Sequence, residues 1–164
     1  MNTKTSTIYE EKLSSKKTEN LFIALTLSFL MLTLWHVNIH IPNAITILFA
    51  IFFLLFLFYS LNYRTLIIRI FRAQLKLQFG IFSWTVPFEN IASCEFDNNI
   101  PALMKYGGAG IHFMMVHGRY RVSFNFLEHD RVVIRLKKKQ GWVRDVSFST
   151  KQPTKILELL TQGE

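Results

Sequence analysis

The chain contains few residues whose spacing is typical of a metal site. His36 and His40 are four residues apart, so both imidazoles would lie on one face of a helix and could meet one metal ion. No third ligand occurs nearby except Asn38 and Asn43, so two polar residues at the membrane interface are the simpler interpretation. His112, His117 and His129 form no pattern with Cys, Asp or Glu at ligand spacing. We expect no metal and no other cofactor.

A glycine-rich stretch and the acidic residues do not form a recognisable catalytic site. The sequence GGAG at residues 107–110 lacks the Gly-Lys-Ser/Thr ending of a phosphate-binding P-loop, and a strand-like alternation follows it instead of a helix. It therefore favours a tight entry into a curved strand. The eight acidic residues from Arg64 onward show no paired catalytic spacing, and no nucleophile stands beside a base. We expect the protein not to be an enzyme.

Positive charge is the strongest remaining signal. From Arg64 onward, fifteen Lys and Arg residues stand against eight acidic residues. A cation close to an anionic bilayer gains roughly 1 kcal/mol, within a Debye length of about 8 Å. Nucleic acid is not expected as a partner, because a strand core accounts for the aromatic residues. The candidate membrane-surface contacts are Arg64, Arg69, Arg72, Lys137, Lys138 and Lys139. For the three lysines, a solvated hairpin tip is the alternative.

Two long apolar segments precede this basic region. The 44 residues from Asn20 to Tyr63 contain no Lys, Arg, Asp or Glu. Residues 21–41 and 44–63 each supply the about 20 apolar residues that a helix needs to cross a bilayer, with Pro42-Asn43 as the turn. The rest of the chain is too short to bury two helices that are apolar on all sides. We therefore predict two transmembrane helices after a polar cytoplasmic tail at residues 1–20.

The distribution of cations predicts the orientation of these helices. Lysines occur in the polar tail and arginines follow the second helix, whereas the loop from His36 to Asn43 has neither. Because cations resist translocation, both termini are expected in the cytoplasm. The sequence thus predicts a multi-pass protein of the cell inner membrane.

After Arg64 the sequence changes to short runs in which apolar and polar residues alternate, as they do in half-buried strands. Gly80 and Gln140-Gly141 supply turns between such runs. Cys94, the only cysteine, is expected to be a small buried apolar residue in a strand. The pattern predicts strands at residues 66–71, 75–79, 82–86, 91–96, 111–116, 120–126, 131–137 and 143–148, then a helix at 153–161.

Three stretches of this region resemble the bacterial pleckstrin-homology-like (PH-like) domains: LKLQFGIFSWTVPFENIASCEF, KYGGAGIHF and VVIRLKKKQGWVRDVSFSTKQPTKILELL. The sequence departs from the family at Ala109, at His112 and at the basic tip Lys137-Lys138-Lys139. The resemblance implies an antiparallel β-barrel, closed at one end by a C-terminal helix, over residues 64–164. Two membrane spans ahead of such a domain are familiar in that family. The implied fold class is an α+β membrane protein with a two-helix transmembrane hairpin.

These observations favour a membrane protein that holds a basic PH-like domain at the cytoplasmic membrane face. The domain would bind anionic lipid head groups or a protein partner there. The protein partner would be another membrane protein or a second copy of the chain, in a homo-oligomer. The alternative is an accessory subunit of a membrane complex or transporter. Two helices alone cannot enclose a transport pathway, and neither predicted span holds an Asp, Glu, Lys or Arg of the kind that pumps use.

Overall fold

The computed structural model describes residues 7–39, 41–97, 110–126 and 128–161. The chain divides into two compact units. A helical unit comprises Ser15–Arg64, and a β unit comprises Met1–Ser14 together with Thr65–Glu164. The helical unit is therefore an insertion in the sequence of the β unit.

The helical unit contains α1 (Lys16–Ile39) and α2 (Ala44–Asn62). Both helices are long and apolar enough to span a membrane. Only 11% of the most apolar stretch of α1 and 6% of that of α2 are buried. Each helix therefore leaves most of its apolar side chains exposed, on every side except the one that contacts the other helix.

Aromatic rings and one polar pair join the two helices. The ring of Phe29 lies 5.1 Å from that of Phe52 and 5.4 Å from that of Phe56. Near the connection, Nδ1 of His36 lies 2.8 Å from Oγ1 of Thr46, and both residues are buried. The predicted turn coincides with the cap of α2, where the Asn43 side chain accepts hydrogen bonds from two backbone amides of the first helical turn. His40 lies outside the described residues.

The first sheet of the β unit is antiparallel, with its strands in sequence order. Alternate residues of β2 and β3 face the core, so that β2 buries its first, third and fifth residues. Its first strand was not predicted, because residues 1–20 were expected to form a polar tail. The strands are β1 (Thr7–Leu13), β2 (Leu66–Phe71), β3 (Gln74–Phe79) and β4 (Phe82–Pro87).

The second sheet has the order β5-β8-β9-β7-β6. Its strands β7 and β9 run parallel, with Val122 beside Val146, whereas its other pairs are antiparallel. A 3₁₀ turn, Phe88–Asn90, connects it to the first sheet. The strands are β5 (Ile91–Phe96), β6 (Gly110–Val116), β7 (Arg119–Asn125), β8 (Asp130–Gln140) and β9 (Val143–Thr150).

The predicted antiparallel barrel is therefore wrong in two respects. Among the described residues, the two sheets are hydrogen-bonded separately and do not close into a barrel. The parallel pairing of β7 with β9 also interrupts the predicted antiparallel order. The alternation of apolar and polar residues specifies where strands lie and which face they bury, but it is equally compatible with either partner direction. The fold is an α+β arrangement of two helices, two sheets and a C-terminal helix.

The core of the β unit lies between the two sheets. The ring of Phe79 in β3 is stacked on that of Phe124 in β7 at 6.2 Å and meets that of Phe126 edge-on at 5.2 Å. The C-terminal helix α3 (Pro153–Thr161) coincides with the predicted one and buries Ile156 and Leu160.

Strand β1 is bonded both to β2 and to the chain segment before α3. It pairs with β2 in an antiparallel register that places Leu13 opposite Leu66. The Glu11 carboxylate accepts hydrogen bonds from Oγ1 of Thr150 at 2.6 Å and from the backbone amide of Lys151 at 2.8 Å. Burial, followed by the Glu11 charge, raises the pKa of Tyr9, whose hydroxyl donates to Glu11. The strand thus connects the first sheet to the chain just before α3.

Candidate functional site

A long, basic hairpin formed by β8 and β9 carries the candidate site. The two strands are joined by a two-residue loop, Gly141–Trp142. Gly141 has a φ of 61°, a conformation that residues other than glycine seldom adopt, and two-residue hairpin loops often begin with such a glycine. The predicted turn at Gln140-Gly141 is thus displaced by one residue. Lys137, Lys138 and Lys139 all belong to the last part of β8 and are exposed.

Beside this hairpin end lies a pocket of about 330 Å³. Lys137 and Lys139 reach it from the last part of β8, where the register with β9 is irregular. Arg119, the first residue of β7, enters because β7 lies beside β9. The pocket is lined by Arg119, Leu136, Lys137, Lys139 and Arg144, and we call it the basic pocket.

The cations of the basic pocket differ in how far their charge is compensated. Nε of Arg119 lies 2.9 Å and 3.2 Å from the two carboxylate oxygens of Asp145, so its charge is paired. Within the described part of the chain, Lys137, Lys139 and Arg144 have no ion-pair partner. Three uncompensated cations around one concavity produce a local positive potential that attracts anions.

A buried charged network lies behind Arg119. Asp145 is 2% exposed and lies between Arg119 and Arg121, whose Nη2 is 4.0 Å from its carboxylate. Arg121 in turn donates to both oxygens of Asp97 at 2.8 Å and 2.9 Å. The Ser147 hydroxyl donates to Asp97 as well. The network therefore fixes the carboxylate that holds Arg119 at the pocket.

Comparison of the chain with family models, curated proteins and solved structures found no match. The resemblance to PH-like domains therefore stays a prediction.

Lys138, the middle lysine of the run, has a different environment. The backbone of Lys138 forms two hydrogen bonds with the Asn90 side chain, at 2.7 Å and 2.9 Å. Lys138 lines a separate pocket of about 430 Å³, which Lys137 also borders and where Glu89 supplies a negative charge. Of the three predicted lysines, the structure thus brings only Lys137 and Lys139 into the basic pocket.

The predicted arginines are not part of the basic pocket. In the helical unit, Arg64 pairs with Glu19 at 2.6 Å. Arg69, in β2, pairs with Glu10 of β1 at 2.8 Å, which also lowers the pKa of Glu10. Arg72 lines a third pocket together with Glu89. Arg64 and Arg69 therefore have compensated charges, and acidic Glu89 accompanies Arg72.

Two cations of the basic pocket were missed by sequence reasoning. Arg144 is the second residue after the hairpin loop. The antiparallel pairing of β8 with β9 could therefore have indicated that it lies close to the lysines. Arg119 belongs to another hairpin and reaches the pocket through the parallel pairing of β7 with β9. No local pattern in the sequence indicates that pairing.

The remaining residues considered for chemistry show no built site in the described ranges. No group of three His, Cys, Asp or Glu side chains there has the arrangement needed to hold a metal ion. Gly110 begins β6 with a φ of 100°, while Gly107 to Ala109 lie outside the described residues. Cys94 lies in β5, and burial raises the pKa of its thiol to about 12, which leaves little reactive thiolate at neutral pH.

Proposed function

We propose that the chain is a membrane-anchored protein without enzymatic activity whose β unit binds anionic lipid head groups. The observation that carries this proposal is the basic pocket, in which Lys137, Lys139 and Arg144 have no ion-pair partner among the described residues. A head-group phosphate would supply the missing negative charge.

The two apolar helices support the anchoring part of the proposal. A soluble protein seldom exposes a large continuous apolar surface, because water is displaced from such surfaces by association. Here both helices are apolar on all sides, and nearly all of their apolar stretches are unburied within the chain. A bilayer would cover this surface without a further partner.

The pairing of β1 with β2 supports a two-span topology. The chain leaves the first sheet after Leu13 and returns at Leu66, and these residues are opposite each other in the ladder. Because both ends of the helical insertion belong to one sheet, the insertion has to cross the membrane an even number of times. Two spanning helices meet this requirement, and the cation distribution then favours cytoplasmic termini.

Cysteine labelling in intact cells tests this topology. In a Cys94→Ser background, Asn38→Cys should react with an impermeant maleimide, whereas Ser83→Cys should react only after the cells are opened. Both positions are exposed. Native Cys94 is an unsuitable internal reference, since its raised pKa makes it unreactive on either side. Labelling of Ser83→Cys from outside would contradict the orientation.

The relation to PH-like domains remains part of the proposal. It is supported by the sequence stretches quoted above and by a terminal helix that follows a hairpin. The unclosed sheets and the parallel β7–β9 pair depart from the expected barrel. We therefore propose an open variant of that domain, without any functional residue carried over from the family.

A charge-matched pair of variants tests lipid binding. The full chain in phosphatidylcholine nanodiscs should bind added phosphatidylglycerol vesicles in a flotation assay and should ignore phosphatidylcholine vesicles. Lys139→Gln with Arg144→Gln should weaken binding by about 2 kcal/mol, or on the order of thirtyfold, since each cation near the surface contributes roughly 1 kcal/mol. Added salt should weaken binding by the wild-type chain as well.

The control variant, Lys138→Gln with Lys151→Gln, removes the same net charge from exposed positions outside the basic pocket. It should retain most of the binding. Equal losses of binding in the two variants would show that only the overall charge matters. They would contradict a role for the basic pocket. Absence of vesicle binding, together with a second polypeptide that copurifies in mild detergent, would favour the accessory-subunit alternative.

A further inference from the structure

The hairpin loop beside the basic pocket exposes a tryptophan. Trp142 is 82% exposed, although tryptophan is among the largest apolar side chains. It is the second residue of the two-residue loop, and the space around Gly141 before it is open, since a side-chain carbon added there would meet no atom within 4 Å. The folded unit therefore buries little of this side chain.

Those surroundings combine an indole with uncompensated cations. Lys137, Lys139 and Arg144 lie within five residues of Trp142 and line the basic pocket. An indole has an apolar body and one N–H donor, so it favours the interface between lipid head groups and acyl chains. Basic residues around it would neutralise the head-group phosphates at the same depth.

The loop between β3 and β4 provides an internal comparison. It also consists of a glycine with positive φ, Gly80, followed by an exposed apolar residue, Ile81, at 74%. No Lys or Arg lies within four residues of Ile81, however, whereas Lys138, Lys139 and Arg144 lie within four residues of Trp142. Of these two loops, only the one between β8 and β9 combines an apolar tip with cations complementary to an anionic surface.

We propose that Trp142 inserts into the interfacial layer of an anionic bilayer while the cations of the basic pocket contact the phosphates. This inference rests on the proposed function and adds to it an apolar anchor at a defined residue. The cations of the hairpin are complementary in charge to an anionic lipid surface. The membrane that we propose to hold the helices would supply such a surface.

The test uses the full chain in phosphatidylcholine nanodiscs with Trp35→Phe and Trp84→Phe, so that Trp142 is the sole tryptophan. Added phosphatidylglycerol vesicles contain some phosphatidylcholine with brominated acyl chains, which quench a nearby indole. Trp142 emission should shift to shorter wavelength and be quenched. Neutral vesicles with the same brominated lipid should have no effect.

In the wild-type background, Trp142→Ala should weaken binding to phosphatidylglycerol vesicles on the order of tenfold, through loss of the buried ring. The matched control Ile81→Ala should bind as the wild type does. Vesicle binding with unquenched Trp142 and no effect of Trp142→Ala would overturn this inference and leave the proposed function intact. Absence of binding to anionic vesicles would overturn both.

Discussion

Removal of residues 1–13 should unfold the β unit, although the sequence of these residues is largely polar. Leu13 is fully buried, and loss of a buried leucine side chain alone costs about 2–5 kcal/mol. The deletion would also remove the ladder to β2 and both hydrogen bonds that Glu11 accepts near the start of α3. A domain of this size has a total stability of about 5–15 kcal/mol, so little would remain.

Two soluble chains without the helical unit test this expectation. In the first, residues 7–13 are joined to 66–161 by Asn-Gly, a dipeptide suited to a two-residue hairpin loop between the paired Leu13 and Leu66. It should give a strand-dominated circular dichroism spectrum and cooperative unfolding. The second begins at Thr65 and should lack cooperative unfolding. Equal stability of the two chains would show that β1 is dispensable.

The strands after Arg64 were predictable because their signal is local. Alternation of apolar and polar residues placed all eight within a few residues of their observed bounds, and Leu66, Ile68 and Ile70 face the core as expected. The terminal helix was predictable for the same reason, from apolar residues at helical spacing and a proline at its start. Local patterns of this kind depend only on neighbours in the sequence.

Strand β1 and the sheet order were not predictable because they depend on distant residues. The sequence TIYEEKL has too few apolar residues to indicate a strand, since an edge strand exposes one face and is stabilised by its partner. Its charged residues are used in pairing, as Glu10 contacts Arg69. The parallel neighbours β7 and β9 belong to different hairpins, and only the folded unit brings them together.

The candidate site was partly predictable on the same grounds. The lysine run was visible as a cluster of like charges, and hairpin geometry would have added Arg144. Lys138 differs from Lys137 in that its backbone is hydrogen-bonded to the Asn90 side chain and that it does not line the basic pocket, and the sequence indicates neither feature. Pairing with Glu10 also separates Arg69 from the uncompensated cations, although it was predicted together with the lysines as a candidate membrane-surface contact.

Asp97→Asn should destabilise the β unit by about 3–5 kcal/mol, the usual effect of removing one partner from a buried ion pair. The Arg121 and Asp97 side chains are only 9% and 4% exposed, so water cannot solvate the Arg121 guanidinium after the Asp97 charge is lost. The nearest remaining carboxylate, that of Asp145, is 4.0 Å away and already binds Arg119. The amide would also accept more weakly from the Ser147 hydroxyl. Hydrogen exchange of β-unit amides in the nanodisc-embedded chain measures the loss, because the slowest amides exchange through global unfolding.

Glu95→Gln is the matched control, since it also removes one carboxylate charge, two residues away in β5. The Glu95–Arg135 pair is as short, 2.7 Å, but its side chains are 47% and 54% exposed. An exposed pair contributes only about 0–1 kcal/mol, so this variant should exchange nearly as slowly as the wild type. Similar losses in the two variants would contradict a buried network. A double variant, Asp97→Asn with Arg121→Met, should recover part of the loss, because it removes the buried charge that Asp97→Asn leaves unpaired.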